Sequence, residues 1–203
     1  MPATRAYRAR SRPPRAQGTR ERILAAVRDL LAEAGFHEST VEQVAERAGV
    51  SRATLYQHFR SRVELVDAVC DTFAVNPALV ELRQTVELPD PAAALAETLV
   101  EAVRFWASED AVLAELYGVV AIDPAACDLV ARQRADRRGE MQRLAGNLRA
   151  AGALRAGMSE QRALGQLMVL TSYETFRELR LHGRDEAAIV AELQNTAAAL
   201  LLA

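Results

Sequence analysis

The 203-residue sequence contains no lysine, only two cysteines and few aromatic residues. No apolar run approaches the length that spans a bilayer, and the Arg-rich N-terminus lacks the apolar segment of a secretory signal. Cys70 and Cys127 stand far apart, without metal-ligand spacing. We therefore expect two buried or half-buried free thiols in a reducing compartment and a cytoplasmic protein.

The sequence patterns of enzymes are also missing. There is no nucleophile elbow, P-loop, dinucleotide fingerprint or metal spacing. The three histidines, His37, His58 and His182, lie apart in the chain. We therefore expect neither an enzyme nor a bound cofactor or metal.

The composition that is present favours helices. Half of the residues are hydrophobic, and alanine and leucine dominate, which predicts an all-α fold. Charge is divided unevenly: residues 1–62 carry a net charge of +6, and residues 63–203 carry −8. A basic module joined to an acidic one is typical of a protein that meets nucleic-acid phosphates at one end.

The segment 39–65 has the pattern of two short helices joined by a tight turn. The first helix carries one apolar stripe, formed by Val41, Val44, Ala45 and Ala48. Gly49 is expected to end this helix in a left-handed conformation. Ser51 is expected to cap the next helix, in which Leu55 and Phe59 lie four residues apart and point inward.

The outer face of the second helix carries hydrogen-bonding side chains, and no acid occurs from Ser51 to Arg62. A helix with a buried rear and such a face is suited to the major groove of DNA. Two S-x-x-E patterns, Ser39 with Glu42 and Ser61 with Glu64, predict capping boxes at either end of this unit. The segment is therefore predicted to be a helix-turn-helix that binds DNA.

The stretch GFHESTVEQVAERAGVSRATLYQHFRSRVELVDAV resembles the DNA-binding domain of the TetR/AcrR family of transcriptional regulators. The preceding TRERILAAVRDLLAEA is similar to that family's first helix, and the run from Leu55 to Phe59 is the most distinctive part. The resemblance covers about a third of the chain. It implies an all-helical homodimer that binds a palindromic operator and is usually released by a small molecule in its C-terminal domain.

Candidate DNA contacts divide into those that position the protein and those that read bases. The candidates for phosphate contact are Ser39, Thr40, Tyr56 and Arg62, of which Tyr56 and Arg62 are also implied by the resemblance. The candidates for base contact are Arg52, Ala53, Thr54 and Gln57. For His58 both kinds of contact, and packing beneath the helix, remain open.

The chain is expected to comprise an Arg-rich arm over 1–18, the helix-turn-helix domain over 19–65, and an effector-binding and dimerisation domain over 66–203. The arm is expected to be disordered, either as a solvated tail or as a segment that contacts DNA. Helix one should run from about Thr19 to Gly35. Ile23, Val27, Leu30 and Leu31 should form its buried stripe. A fourth helix from Arg62 to about Phe73 is expected to link the two domains.

Start and stop signals divide the larger domain. They predict helices over about Ala78–Val86, Asp90–Ala107, Asp110–Ala121, Asp123–Ala151, Ser159–His182 and from Asp185 onward. The last two helices present more apolar surface than one chain is expected to bury, which predicts a dimer interface. The candidate interface residues are Leu164, Leu167, Thr171, Phe176, Ile189, Leu193, Thr196, Ala197 and Leu200.

A pocket for a mostly apolar small molecule is expected among the middle helices. The candidate lining residues are Phe105, Trp106, Leu113, Tyr117, Met141, Met168 and Tyr173. Most of these side chains suit an ordinary core equally well. The predicted function is a DNA-binding repressor that a small, mostly apolar ligand releases from a palindromic operator. The expected partners are operator DNA, a small effector and a second copy of the chain. The alternative is a dimeric DNA-binding regulator without an effector, controlled by abundance or by a protein partner.

Overall fold

The computed structural model describes residues 14–33, 39–122 and 127–203, and within these ranges it contains ten helices and no strand. The all-α prediction is confirmed. The helices are α1 (Pro14–Ala32), α2 (Val41–Arg47), α3 (Arg52–His58), α4 (Arg62–Phe73), α5 (Pro77–Thr85), α6 (Pro91–Ile122), α7 (Cys127–Ala150), α8 (Glu160–Leu170), α9 (Tyr173–Leu181) and α10 (Glu186–Leu201).

The first helix starts earlier than predicted. Residues 14–18 belong to α1, so the expected disorder of the arm is wrong for them. Apolar periodicity begins only at Ile23, which made the start look late, but proline suits the first turn because it needs no amide donor there. Residues 1–13 and Gly35 lie outside the described residues. Ile23, Val27 and Leu31 are fully buried, as predicted.

The chain divides into two compact units, the first ending at Val69 and the second comprising Cys70–Ala203. The division falls within α4, which begins at Arg62 and ends at Phe73 as predicted. Leu65, Val66 and Val69 are buried, also as predicted.

In the second unit, α6 is one helix of 32 residues, so the predicted break between Ala107 and Asp110 is wrong. The predicted break contains a serine followed by two acids. The Ser108 hydroxyl instead donates back to the Phe105 carbonyl at 2.9 Å, a bond that leaves the helix intact. The Glu109 carboxylate accepts from Asn76 Nδ2 at 2.9 Å, so it is occupied by a contact with another part of the unit.

The reverse error occurs near the C-terminus, where one predicted helix is two. Ser159 caps α8 as predicted, but α8 ends at Leu170. Ser172 then caps α9 by accepting from the Thr175 amide at 3.1 Å. Because no glycine or proline marks this break, the apolar periodicity ran through it. Asp185 caps α10 as predicted, whereas the predicted start of α7 at Asp123 lies outside the described residues.

Candidate nucleic-acid interface

The turn between α2 and α3 has the hydrogen bonds of a helix stop. Gly49 has a φ of 63°, a left-handed conformation that glycine adopts without a Cβ penalty. Its amide donates to the Glu46 carbonyl at 3.0 Å, and the Val50 amide donates to the Ala45 carbonyl at 2.9 Å. These two bonds form a Schellman motif. Gly49 therefore ends α2, as predicted.

Side-chain caps fix where α2 and α3 begin. Thr40 Oγ1 accepts from the Gln43 amide at 3.2 Å, and Gln43 Oε1 accepts from the Thr40 amide at 2.7 Å. The capping box is thus one residue later than predicted, because the sequence holds two overlapping boxes and Ser39 is buried. The α3 cap is confirmed: Ser51 Oγ accepts from the Thr54 amide at 3.0 Å.

The box predicted at the start of α4 forms only in part. Ser61 Oγ accepts from the Glu64 amide at 3.1 Å, as a capping box requires. The Glu64 carboxylate accepts from the Arg60 amide at 2.6 Å, one residue before the expected donor. The connection between α3 and α4 is therefore held at both of its ends.

Buried side chains form the rear of the helix-turn-helix. Leu55 and Phe59 point inward from α3 as predicted, and Val44 and Ala45 are buried on α2, which packs against both α1 and α3. The Arg20 guanidinium carbon lies 4.5 Å from the centre of the Phe59 ring, a contact that the sequence pattern did not indicate. The exposed face of α3 is therefore supported from behind by packed, buried side chains.

The front of α3 carries the side chains predicted to read DNA. Arg52, Ala53, Tyr56 and Gln57 are exposed, whereas Thr54 and His58 are half-buried. Thr54 Oγ1 lies 2.8 Å from Ser51 Oγ, so this hydroxyl also supports the cap.

Arg52 is held in place by two neighbours. Arg52 Nη1 lies 2.5 Å from Glu42 Oε1 of α2, and its guanidinium carbon lies 5.5 Å from the centre of the Tyr56 ring. A hydrogen bond with Tyr56, and then the charge of Glu42, raise the pKa of Arg52. A planar guanidinium held this way is suited to bidentate recognition of a base edge or a phosphate.

The candidate phosphate contacts lie in different surroundings. Thr40 and Tyr56 are exposed, and Ser39 is buried. Arg62 is half-buried, and its Nη1 donates to the Ser39 carbonyl at 2.5 Å. This bond ties the start of α4 to the residue that precedes the α2 cap. Sequence reasoning missed it because the two residues lie on different elements.

An ion pair between α1 and α2 was also missed. Arg47 donates to both carboxylate oxygens of Glu33, at 2.9 and 3.0 Å. The hydrogen bond with Arg47 lowers the pKa of Glu33. Glu33 follows the last residue of α1 and Arg47 lies in α2, fourteen residues later, so no local spacing in the sequence indicates the pair.

In the second unit, four of the predicted ligand-pocket residues lie together. Tyr173 is 5.5 Å from Trp106 and 5.0 Å from Tyr117, and Phe105 is 4.7 Å from Trp106, measured between ring centres. The buried members of the predicted set are Phe105, Leu113, Met141 and Tyr173, and the half-buried ones are Trp106, Tyr117 and Met168.

Most of the predicted interface stripe is buried within one chain. The buried members are Leu164, Leu167, Thr171, Phe176, Ile189, Leu193 and Ala197, and the half-buried ones are Thr196 and Leu200. The expectation that one chain cannot bury this stripe is therefore not met. The large apolar side chains that these helices do expose are Val169, at 62%, and Leu181, at 72%.

No described helix combines the length and apolar character that crossing a membrane requires. Among the described residues, no three His, Cys, Asp or Glu side chains are grouped so as to hold a metal ion. The side chain of Cys70 is buried, and that of Cys127 lies outside the described side chains.

The sequence of the first unit matches the family model of the bacterial regulatory proteins of the tetR family over residues 23–69. The matched range contains the α2–turn–α3 unit. The chain contains a tetR-family domain over these residues. Among similar curated proteins, the chain is 34% identical over 114 residues to the HTH-type transcriptional regulator YdeS of Bacillus subtilis, covering 54% of each chain.

A second relative is the HTH-type transcriptional regulator UidR of Escherichia coli, 36% identical over 72 residues and 36% of each chain. The chain thus spans about half or less of the length of these relatives. Similarity of fold extends over more of the chain. A complex of SmeT with triclosan superposes with a TM-score of 0.74 over 92% of this chain and 93% of that one, at 20% identity.

Proposed function

We propose that the chain is a sequence-specific, DNA-binding transcriptional regulator that acts as a homodimer on a palindromic operator. The observation that carries this proposal is the exposed face of α3. It presents Arg52, Tyr56 and Gln57 to solvent, while Leu55 and Phe59 anchor the opposite face. The match of residues 23–69 to the tetR-family domain supports the same proposal.

Arg52, Ala53, Thr54 and Gln57 are proposed to read bases, and Thr40, Tyr56, Ser39 and Arg62 to meet the phosphate backbone. Arg52 pairs with guanine and Gln57 with adenine, since each side chain matches the hydrogen-bonding edge of that base. His58 contributes through phosphate contact or packing, and its half-buried position favours packing.

Base reading by Arg52 can be tested by selecting bound sequences from random duplex DNA at about physiological salt. The wild type and the Arg52→Ala variant would be compared. The wild type should recover a palindrome, and the variant should lose preference at one position of each half-site, at a cost of about 1–3 kcal/mol for the correct base. Arg149→Ala, an exposed arginine of α7, is the control. Recovery of no motif by the wild type would contradict base reading.

The homodimer is proposed to form through the outer faces of α8 and α9, where Val169 and Leu181 are exposed. A two-fold dimer places its two α3 helices about one turn of DNA apart, roughly 34–36 Å, or a multiple of it. The stripe beneath these faces, from Leu164 to Leu200, then supports the interface from within the chain.

A small, mostly apolar molecule bound near Trp106 and Tyr117 is proposed to release the operator, so that the protein acts as a repressor. SmeT, described as the repressor of a Stenotrophomonas maltophilia multidrug efflux pump, is one structural neighbour with a bound small molecule. Helix α4 contributes residues to both units, and we propose that it carries the signal. Emptying an operator from 99% to 1% occupancy takes a differential affinity of roughly 5.5 kcal/mol.

A thermal-shift screen of small molecules, followed by operator titrations with each hit, tests release. A hit that raises the melting temperature and lowers operator affinity supports it. If no compound does both, the chain fits better with a regulator controlled by its abundance or by a protein partner.

A further inference from the structure

The second unit gathers its aromatic residues in one place. Residues 70–203 contain six aromatic side chains, and ring contacts join all six. The contacts run Phe73–Phe105 at 5.8 Å, Phe105–Trp106 at 4.7 Å, Trp106–Tyr173 at 5.5 Å, Tyr117–Tyr173 at 5.0 Å and Tyr173–Phe176 at 6.2 Å between ring centres. In a chain with only 5% aromatic residues, this aromatic cluster is a local concentration of flat apolar surface.

The aromatic cluster reaches solvent through two of its members. Phe73, Phe105, Tyr173 and Phe176 are buried, whereas Trp106 and Tyr117 are half-buried. Trp106 Nε1 donates to the Thr171 carbonyl at 3.1 Å, at the break between α8 and α9. The indole is thereby fixed with part of its surface open to a flat ligand.

A guanidinium lies close to one of these two half-buried rings, that of Trp106. Arg137 Nη1 donates to the same Thr171 carbonyl at 2.7 Å, and its guanidinium carbon lies 6.0 Å from the centre of the Trp106 ring. Burial lowers the pKa of Arg137, yet an arginine keeps its charge in proteins. A partly desolvated cation therefore adjoins the half-exposed indole.

The charge of Arg137 is not balanced by a close carboxylate. Within the part of the chain that the structure describes, no carboxylate lies within ion-pair distance of Arg137, whereas Arg177 pairs with Asp110 at 3.3 Å. At longer range Arg137 senses Glu174, Arg134 and the Tyr117 phenol. Among these groups, three guanidiniums (Arg134, Arg137 and Arg177) and two carboxylates (Asp110 and Glu174) leave an excess of one positive charge beside the aromatic cluster.

We propose that Arg137, Trp106 and Tyr117 form a subsite for an aromatic carboxylic acid, in which the guanidinium binds the carboxylate and the rings stack on the ligand. The class follows from the chemistry. A planar guanidinium matches a carboxylate bidentately, and offset stacking on an indole favours a flat ring. A cation would be repelled, and a doubly charged phosphate would lose more hydration in this partly apolar setting.

Tyr117 supports the same assignment. Burial, and then the charge of Glu174, raise the pKa of its phenol, so the hydroxyl keeps its proton at neutral pH and can donate to an anion. The proposal that such an acid is the effector of the regulator rests on the proposed function. The proposal that the acid binds at this subsite does not.

Trp106 provides the measurement because it is the only tryptophan of the chain. We would titrate full-length protein with benzoate, 3-phenylpropanoate and biphenyl-4-carboxylate, and with the matching amides, and follow tryptophan fluorescence. At least one acid should bind saturably and about tenfold or more tightly than its amide, because a charged hydrogen bond is lost in the amide.

Arg137→Gln should weaken binding of that acid by about ten- to a hundredfold, while Arg137→Lys should retain part of it. Arg134→Gln is the matched control, since it removes an exposed arginine one turn earlier on the same helix, and it should change affinity by less than about threefold. Equal helical content and melting temperature across the variants would establish that each one folds.

Three results would overturn the subsite. They are no saturable binding of any of the acids up to about 5 mM, equal affinity for an acid and its amide, and equal loss in the Arg134 and Arg137 variants. Operator titration in the presence of a bound acid separates the two proposals. Binding that depends on Arg137 without any change in operator affinity supports the subsite and contradicts release by this ligand.

Discussion

Replacing Gly49 by alanine should destabilise the turn between α2 and α3. An added Cβ would meet nothing nearer than Arg22 Nη1 at 3.9 Å, so the cost comes from the backbone alone. Holding alanine at a φ of 63° costs roughly 1–2 kcal/mol, of which the stiffer unfolded chain returns about 0.4–1 kcal/mol. We expect a net loss of about 1 kcal/mol, the difference of those two effects.

Gly139 is the matched control for this substitution. It lies inside α7, it is exposed, and a Cβ there would have no neighbour within 4 Å. Because alanine is the better helix former, Gly139→Ala should stabilise the protein by about 0.5–1 kcal/mol. The same chemical change is therefore expected to have opposite signs at two positions. Gly49→Asn should fall between Gly49→Ala and the wild type, since asparagine tolerates the left-handed region better.

Circular dichroism melting and hydrogen exchange would measure the difference. For a chain of this size 1 kcal/mol corresponds to roughly 2–4 °C in melting temperature. The two units can unfold separately, in which case a single melting temperature is not defined. Exchange in peptides covering 41–58 then reports on the turn directly. Gly49→Ala with unchanged or higher stability and unchanged exchange would refute the reasoning.

Other substitutions test the cap, the interface and an ion pair. Ser51→Ala removes the acceptor for the Thr54 amide and should cost about 1 kcal/mol in urea unfolding, with weaker operator binding; unchanged stability would show the cap to be dispensable. Val169→Arg should dissociate the dimer in sedimentation velocity, whereas the same change at Val75, 76% exposed, should not; dissociation by both would count against the proposed interface. Glu33 has a lowered pKa in the folded chain, so its contribution is present above its ordinary pKa of 4.5 and is lost as the pH falls through the folded value. Glu33→Gln should flatten the acid side of the stability–pH curve, and an unaltered curve would mean that the ion pair contributes nothing measurable.

The helix-turn-helix was predictable because its signals are local. Gly49 and Ser51 carry their own conformational preferences, and Leu55 and Phe59 repeat at helical spacing. The position of the α2 cap was not, because Ser39 and Thr40 both satisfy the same short pattern. Burial of Ser39 decides between them, and burial is a property of the folded domain.

Two of the errors in the second unit arise because contacts with distant residues decide what the local pattern leaves open. The break at Thr171 is stabilised by donors from distant parts of the chain, Trp106 and Arg137, which share its carbonyl. No sequence pattern within residues 159–182 could indicate these two hydrogen bonds from distant residues. The apolar stripe from Leu164 onward was equally ambiguous, since periodicity indicates that a face is covered and does not indicate whether its own chain or a partner covers it. The sequence predicted the aromatic residues around Tyr173 only as candidate lining residues of a ligand pocket.

The separation of roles along α3 has a consequence for how such a protein diversifies. Ala53 and Gln57 are exposed, while Leu55 and Phe59 are buried. Surface substitutions away from caps and packing usually change stability by no more than about 0.5 kcal/mol. If α3 reads bases as proposed, duplicated copies of the gene can acquire new target sites by single exposed changes, without first passing through poorly folded intermediates.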